Sequence, residues 1–209
     1  MLCSLCASKT NVFSEVQHKK YLQCNECNSV MLDHSFFLSK NQERERYNLH
    51  QNDVYNLGYQ NSVSTIIEKV VNNHSKHDKG LDFGSGTNSV VSYLLKNKNY
   101  DILEYDPIFK NKNDVLLDSN YDYIICCEVV EHFYRPIQEF QLLSRLLKPN
   151  GTLYCKTKLF TENINFDTWW YKNDPTHVFF YTPKSINWIK NKFNFGHVEV
   201  AKDVIIFQK

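Results

Sequence analysis

The stretch Leu81-Asp82-Phe83-Gly84-Ser85-Gly86-Thr87-Asn88-Ser89-Val90-Val91 is an apolar run that closes in two glycines and then turns amphipathic. That order predicts a buried strand, a tight turn and the start of a helix. Gly84 and Gly86 permit positive φ and a close approach of a bulky ligand to the amide-rich end of a helix, which makes a nucleotide seat. Glycine pairs also occur in ordinary turns, so the segments that follow must decide.

The next apolar run, Tyr100-Asp101-Ile102-Leu103-Glu104-Tyr105-Asp106-Pro107, reads as a second strand ending in a carboxylate. Asp106 follows Gly86 by 20 residues, about the spacing at which a doubly wound fold sets an acid on a ribose. The bland alternative is a solvated Asp opening a turn before Pro107. Later come Tyr121-Asp122-Tyr123-Ile124-Ile125-Cys126-Cys127-Glu128-Val129-Val130-Glu131-His132-Phe133 and Leu146-Leu147-Lys148-Pro149-Asn150-Gly151-Thr152-Leu153.

From about residue 81 to about 159 these ordered motifs resemble class I S-adenosylmethionine-dependent methyltransferases. Those proteins carry an E-x-x-E-H element after their fourth strand and an L-L-K-P-x-G turn before their fifth. The resemblance implies an α/β, three-layer Rossmann-like fold with a mostly parallel seven-stranded sheet whose last strand is antiparallel. It implies S-adenosylmethionine held by Asp82, Phe83, Gly84, Ser85, Gly86, Asp106, Pro107, Cys127 and Glu128, with Asp82 at the methionine end. Family members often read G-x-G-x-G where this chain has Gly84-Ser85-Gly86-Thr87-Asn88; Asn tolerates left-handed backbone, so the turn is expected to survive. Nothing in the short stretch before Tyr121 offers an adenine-binding acid.

Seven cysteines divide into two groups. Cys3-x-x-Cys6 and Cys24-x-x-Cys27 are two knuckles with 17 residues between them, the spacing of a zinc ribbon in which four thiolates converge on one Zn²⁺. Val12-Phe13 and Tyr21-Leu22 are placed to pair as its hairpin. Such a ribbon can grip a macromolecular substrate, cover an active site, or stabilise an extension too small to fold alone. Cys126, Cys127 and Cys155 fall in expected strands and read as inert core thiols.

Lys and Arg number 24 against 23 Asp and Glu, so no overall field recruits nucleic acid or an anionic membrane. No apolar run reaches the length of a membrane span and the first residues lack a signal peptide's apolar region, from which a cytoplasmic protein is expected. The expected organisation is a zinc ribbon over 1–38, a helical linker and first helix over 39–75, and a methyltransferase domain over 76–209. Helices are expected over 61–73, 87–96 and 183–192, a third strand over 114–117, a fifth over 152–158, and closing strands over 197–201 and 204–208. Tyr47 and His50 on the linker can face the cofactor pocket or pack under the ribbon, packing being preferred for the tyrosine. An aromatic insert containing Trp169, Trp170, Asp174 and His177 either caps the core or lines a substrate pocket.

Methyl transfer needs orientation and, for a hydroxyl acceptor, a base or a metal. His177, His132 and Glu131 are the catalytic candidates. Glu128, Glu131, His132 and His177 also resemble the divalent-metal set of two O-methyltransferase groups, those acting on small-RNA termini and those of ubiquinone biosynthesis. The alternative makes them polar groups at a helix start, or substrate contacts without metal. Three functions stay open: a methyltransferase on a small molecule or biosynthetic intermediate, suggested by compact size, neutral charge and the aromatic insert; one on RNA or protein, suggested by the ribbon; and a non-catalytic cofactor-binding scaffold.

Overall fold

The computed structural model describes residues 1–49, 53–117 and 121–209, so His50 lies outside the described residues. Two sheets organise the chain. The larger is six-stranded, in the order β5(Asp101–Tyr105), β4(Lys79–Phe83), β6(Tyr121–Cys127), β7(Leu147–Lys156), β10(Val204–Gln208), β9(His197–Ala201). β4 runs parallel to β5 and β6, and β6 to β7, while β10 is antiparallel to both its neighbours.

Period-two alternation gives the central strands β4, β6, β7 and β10 two buried faces. Tyr123, Ile125, Tyr154, Val204 and Ile206 point toward α2(Leu57–Asn73) and α3(Val90–Asn97), packing with Val63, Ile66, Val70, Val91 and Leu95. Their neighbours Ile124, Cys126, Leu153, Cys155, Ile205 and Phe207 join a second core with α4(Pro136–Leu146) and α5(Pro183–Lys192). Helices therefore cover both faces, the three-layer arrangement expected. Among the described residues no helix is long and apolar enough to cross a membrane.

Seven strands are corrected to six among the described residues, because 113–116 form a short 3-10 turn where a third strand was expected over 114–117. The turn is fastened where Tyr121 Oη donates to the Val115 carbonyl at 2.8 Å. Polar residues around it leave too little apolar alternation for a strand. Three boundaries also move. α3 starts at Val90 rather than at 87, because Ser89 caps it by accepting the Ser92 amide. β7 begins at Leu147, which pairs with Tyr121 ahead of an irregularity in the register. α2 starts earlier than 61, at Leu57, behind an Asn56 cap.

The second sheet contains β1(Thr10–Val16), β2(Lys19–Cys24), β3(Val30–Leu32) and β8(Phe179–Phe180), in that order. Val12 pairs with Leu22 in the expected hairpin. The fourth strand comes from the aromatic insert, so the N-terminal ribbon shares a sheet and a core with the rest of the chain. Tyr21, Phe160, Phe166, Trp169 and Phe180 pack edge-on or tilted at that junction, with centroids 4.9–6.2 Å apart. After β3 in the chain comes α1(Lys40–Asn48), capped reciprocally by Ser39 and Gln42.

Candidate active site

Order in the large sheet reverses between β4 and β6, one neighbour being reached through α3 and the other on the opposite side. Open α/β sheets bind ligands at the carboxyl ends of the strands there. β4 ends in the glycine turn. Gly84 has φ +82°, and a Cβ on it would stand 2.6 Å from Val129 Cγ2; Gly86 has φ +60°. Both positions need glycine for backbone reasons. The Gly84 and Ser85 amides donate to the Tyr105 carbonyl at 2.8 and 3.0 Å, and the Gly86 amide donates to Asp106 Oδ2 at 3.0 Å.

Asp106 thus bridges two turns. Its Oδ1 accepts from the Ile108 and Phe109 amides at 2.8 and 2.9 Å, beyond Pro107. Three of a carboxylate's roughly four acceptor positions are engaged, and one remains for a ligand hydroxyl. Asp82 faces the other way. Buried, it accepts from the Ser89 and Ser92 hydroxyls, the latter at 2.7 Å, so it pins the start of α3. Burial pushes its carboxyl up to about 6, the two serines opposing. Phe83 packs on Tyr105 and Phe133 rather than standing in the turn.

β6 ends in Cys127 and Glu128. Glu128 has φ 53°, left-handed and uncommon without glycine, the kind of outlier that accumulates at sites. Its amide donates to the Lys156 carbonyl at 2.9 Å, and its Oε1 takes the Lys156 ammonium. Lys156 is itself buried and reaches Asp203 Oδ2 at 3.1 Å. Burial would lower this amine, but the two carboxylates hold it above the ordinary lysine range. A lysine closing the apolar run Leu153-Tyr154-Cys155 is the sequence signal of such a buried counter-charge.

Glu131, His132 and His177 come together from opposite ends of 46 residues of chain, their ligand atoms within 4.8 Å of one another. Glu128 stands outside that trio, turned to Lys156 and, at 3.2 Å, to the Tyr171 hydroxyl. Glu131 is fully buried: Oε1 accepts from Tyr171 Oη at 2.6 Å, and Oε2 has no hydrogen-bond partner among the described residues. Burial, then the charge of Glu128, pushes its carboxyl up to about 7, with His177 and Tyr171 opposing. His177 Nδ1 donates to the Tyr171 carbonyl at 2.7 Å and His132 Nδ1 to the Thr176 carbonyl at 3.0 Å. Each bond puts the ring's acceptor lone pair on Nε2. The rings meet edge-on, 4.8 Å between centroids.

Tyr171 is the residue the sequence reading passed over. Its ring lies 4.3 Å from His177, its carbonyl sets the His177 tautomer, and its hydroxyl touches both glutamates and Thr157. Burial and the two acids push this phenol far up, so it stays a donor. Only its place in the aromatic insert beside His177 pointed to it. Trp169 lies in the core, whereas Trp170 is exposed. The ring edge of Tyr47 meets His132 at 5.7 Å and its hydroxyl donates to Glu43. Beside it, Arg46 bonds Asp174 Oδ2 at 2.7 Å.

The four ribbon cysteines are free thiols whose sulfurs lie within 4.8 Å of one another, Cys3 to Cys27 at 3.7 Å and Cys6 to Cys24 at 3.3 Å. Tetrahedral Zn–S bonds of about 2.3 Å set sulfurs roughly 3.8 Å apart, so this cluster suits zinc. The Cys3 and Ser29 hydrogen bonds hold the Cys27 thiol below the ordinary thiol range, and its partner Cys3 is pushed up.

A family model for a methyltransferase domain matches residues 55–200, about seven-tenths of the chain. No match is found among curated proteins. Among solved structures, the chain resembles a protein of Nostoc punctiforme PCC 73102 provisionally described as an O-methyltransferase, with TM-score 0.55 and 13% identity over 72% of this chain and 56% of that one. It also resembles an S-adenosylmethionine-dependent methyltransferase from Archaeoglobus fulgidus, with TM-score 0.54 and 17% identity over 72% of this chain and 94% of that one. A third is an O-methyltransferase family protein from Burkholderia thailandensis, with TM-score 0.51 and 12% identity over 79% and 61%. The chain thus spans little more than half the length of the Nostoc protein and nearly all of the Archaeoglobus one. At these identities the likeness is one of fold, whereas the family match covers the glycine turn, Asp106, the E-x-x-E-H element and His177 together. This chain belongs to the methyltransferase domain family.

Proposed function

We propose that the chain is an S-adenosylmethionine-dependent methyltransferase acting on an oxygen or nitrogen of a small-molecule or biosynthetic acceptor. The carrying observation is Glu131 Oε2, a buried oxygen with no hydrogen-bond partner among the described residues, beside two imidazoles whose lone pairs are fixed on Nε2. Buried polar groups are normally satisfied, and an orphan beside such groups marks a ligand. The Gly84–Gly86 turn and Asp106 would hold the cofactor, and the spare acceptor position of Asp106 suits a ribose hydroxyl.

S-adenosylmethionine, when bound, supplies an electrophilic methyl on a sulfonium. This chain's residues orient the acceptor and take its proton: His177 Nε2 is the base, Glu131 stabilises the imidazolium that forms, and Tyr171 keeps both in place. Cys3, Cys6, Cys24 and Cys27 would hold a structural zinc.

A divalent ion on Glu131, His132 and His177 is a second reading, supported by their 4.8 Å clustering and by the carbonyl bonds on both Nδ1 atoms, the usual support of metal-ligating histidines. Titrating Mg²⁺, Mn²⁺ and Zn²⁺ into chelator-treated protein decides it. Heat on binding that His177→Ala abolishes supports the ion; no binding of any of the three removes it.

The first experiment is calorimetry with S-adenosylmethionine and S-adenosylhomocysteine, with Asp106→Ala as control. Micromolar binding lost in the control is expected, followed by transfer of labelled methyl into a metabolite pool rather than into RNA or protein. Absence of binding to either ligand would sink the reading.

A further inference from the structure

We propose that the four-cysteine ribbon is a positioning module for the acceptor half of the site: metal held by the thiolates sets where His177 and Glu131 stand and leaves the glycine-turn half unaffected. The inference rests on the zinc reading above. Its path is short and runs mostly through backbone. The Cys27 carbonyl accepts the Thr182 hydroxyl at 3.1 Å. Three residues on, β3 begins, pairing Val30 with Phe180 and Met31 with Phe179. The Leu32 amide donates to the Val178 carbonyl at 2.9 Å, and the Val178 amide donates to the Glu131 carbonyl at 2.9 Å.

Val178 follows His177 directly, so one residue ties the ribbon sheet through its carbonyl to Glu131 through its amide. β8 is only two residues long and β3 three. Strands that short do not hold a position unaided. They stand where they do because the knuckle at Cys24 and Cys27 delivers β3 in register, and without a cation the four cysteines lose the tie that closes the two knuckles on each other.

The cofactor half is wired differently. Gly84, Ser85 and Gly86 bond to Tyr105 and Asp106, and Asp82 bonds to Ser89 and Ser92, all within β4, β5 and the start of α3. Among the described residues, no hydrogen bond joins that set to the ribbon. Loss of metal should therefore divide the site along this line.

The test compares the full zinc-loaded chain with the same chain stripped by a chelator and with the stripped chain reloaded with Zn²⁺. Bound metal is measured first, then amide hydrogen exchange by mass spectrometry, then S-adenosylhomocysteine affinity by calorimetry. The expected result is exchange at least ten times faster over 30–32 and 178–182 in the stripped chain, restored on reloading. Exchange over 82–92 and the affinity should change less than threefold. Zinc present, yet exchange over 178–182 unaltered by its removal, overturns the proposal and leaves the zinc reading standing. A chain that binds no zinc overturns both. Loss of protection over 82–92 together with the affinity shows one cooperative unit and overturns the proposed division.

Discussion

The hydroxyl of Tyr171 lies 2.6 Å from Glu131 Oε1, and the same residue's carbonyl receives His177 Nδ1 at 2.7 Å. One side chain and its own peptide therefore fix both a buried acid and the imidazole next to it. Tyr171→Phe removes the hydroxyl and leaves the carbonyl. Stability should fall by about 1–3 kcal/mol because a buried carboxylate loses a donor. Methyl transfer should fall by about 10–100-fold, as when an outer partner of a site residue is lost. Thermal unfolding and single-turnover transfer read the two effects. Transfer equal to wild type would show that Glu131 needs no such support.

Asp82 makes stability depend on pH. Its carboxyl is raised by burial to about 6 from an ordinary value of 3.8. The folded chain holds this proton more tightly than the unfolded one, so the stability it contributes is full below about pH 4 and is lost as pH rises through 6. Asp82→Asn should flatten that decline by up to ~3 kcal/mol, the equivalent of two pH units. Urea unfolding at pH 4, 5, 6 and 7 checks it, and parallel curves for the two proteins would count against the assignment.

Gly84→Ala meets two obstacles, a φ of +82° and a Cβ 2.6 Å from Val129. Left-handed backbone without glycine costs about 1–2 kcal/mol and overpacking about 1–3 kcal/mol more. Adding Val129→Ala should recover the second part and not the first. Chemical denaturation of the single and double variants separates them; full recovery in the double variant would mean the backbone conformation is not the constraint.

Lys156→Met leaves Glu128 and Asp203 facing each other without their shared cation. Breaking a buried pair by removing one partner is strongly destabilising. Because the two carboxylates are 35% and 26% exposed, we expect the lower end, about 3 kcal/mol. Lys156→Arg, keeping the charge, should lose much less. Equal losses for the two would show that packing rather than charge matters here.

Residue types and spacing were enough to foresee α5 over Pro183–Lys192, the closing strands His197–Ala201 and Val204–Gln208, the glycine turn, and the convergence of four cysteines. Each is written in neighbours a few residues apart: a Thr182 cap with Pro183 behind it, alternation every second residue, two C-x-x-C knuckles. Such signals survive without the rest of the fold because they act through local backbone geometry and periodic burial. The third strand failed for the converse reason, since four residues with little alternation carry almost no signal of their own. What only the tertiary structure decided is which side chains share a proton or a sheet. Tyr171 reaches Glu131 across 40 residues, Lys156 reaches Glu128 across 28, and the ribbon takes its last strand from Phe179–Phe180. Those meetings depend on packing two sheets around one aromatic core, where burial strengthens every polar contact and leaves no water to stand in for a missing partner.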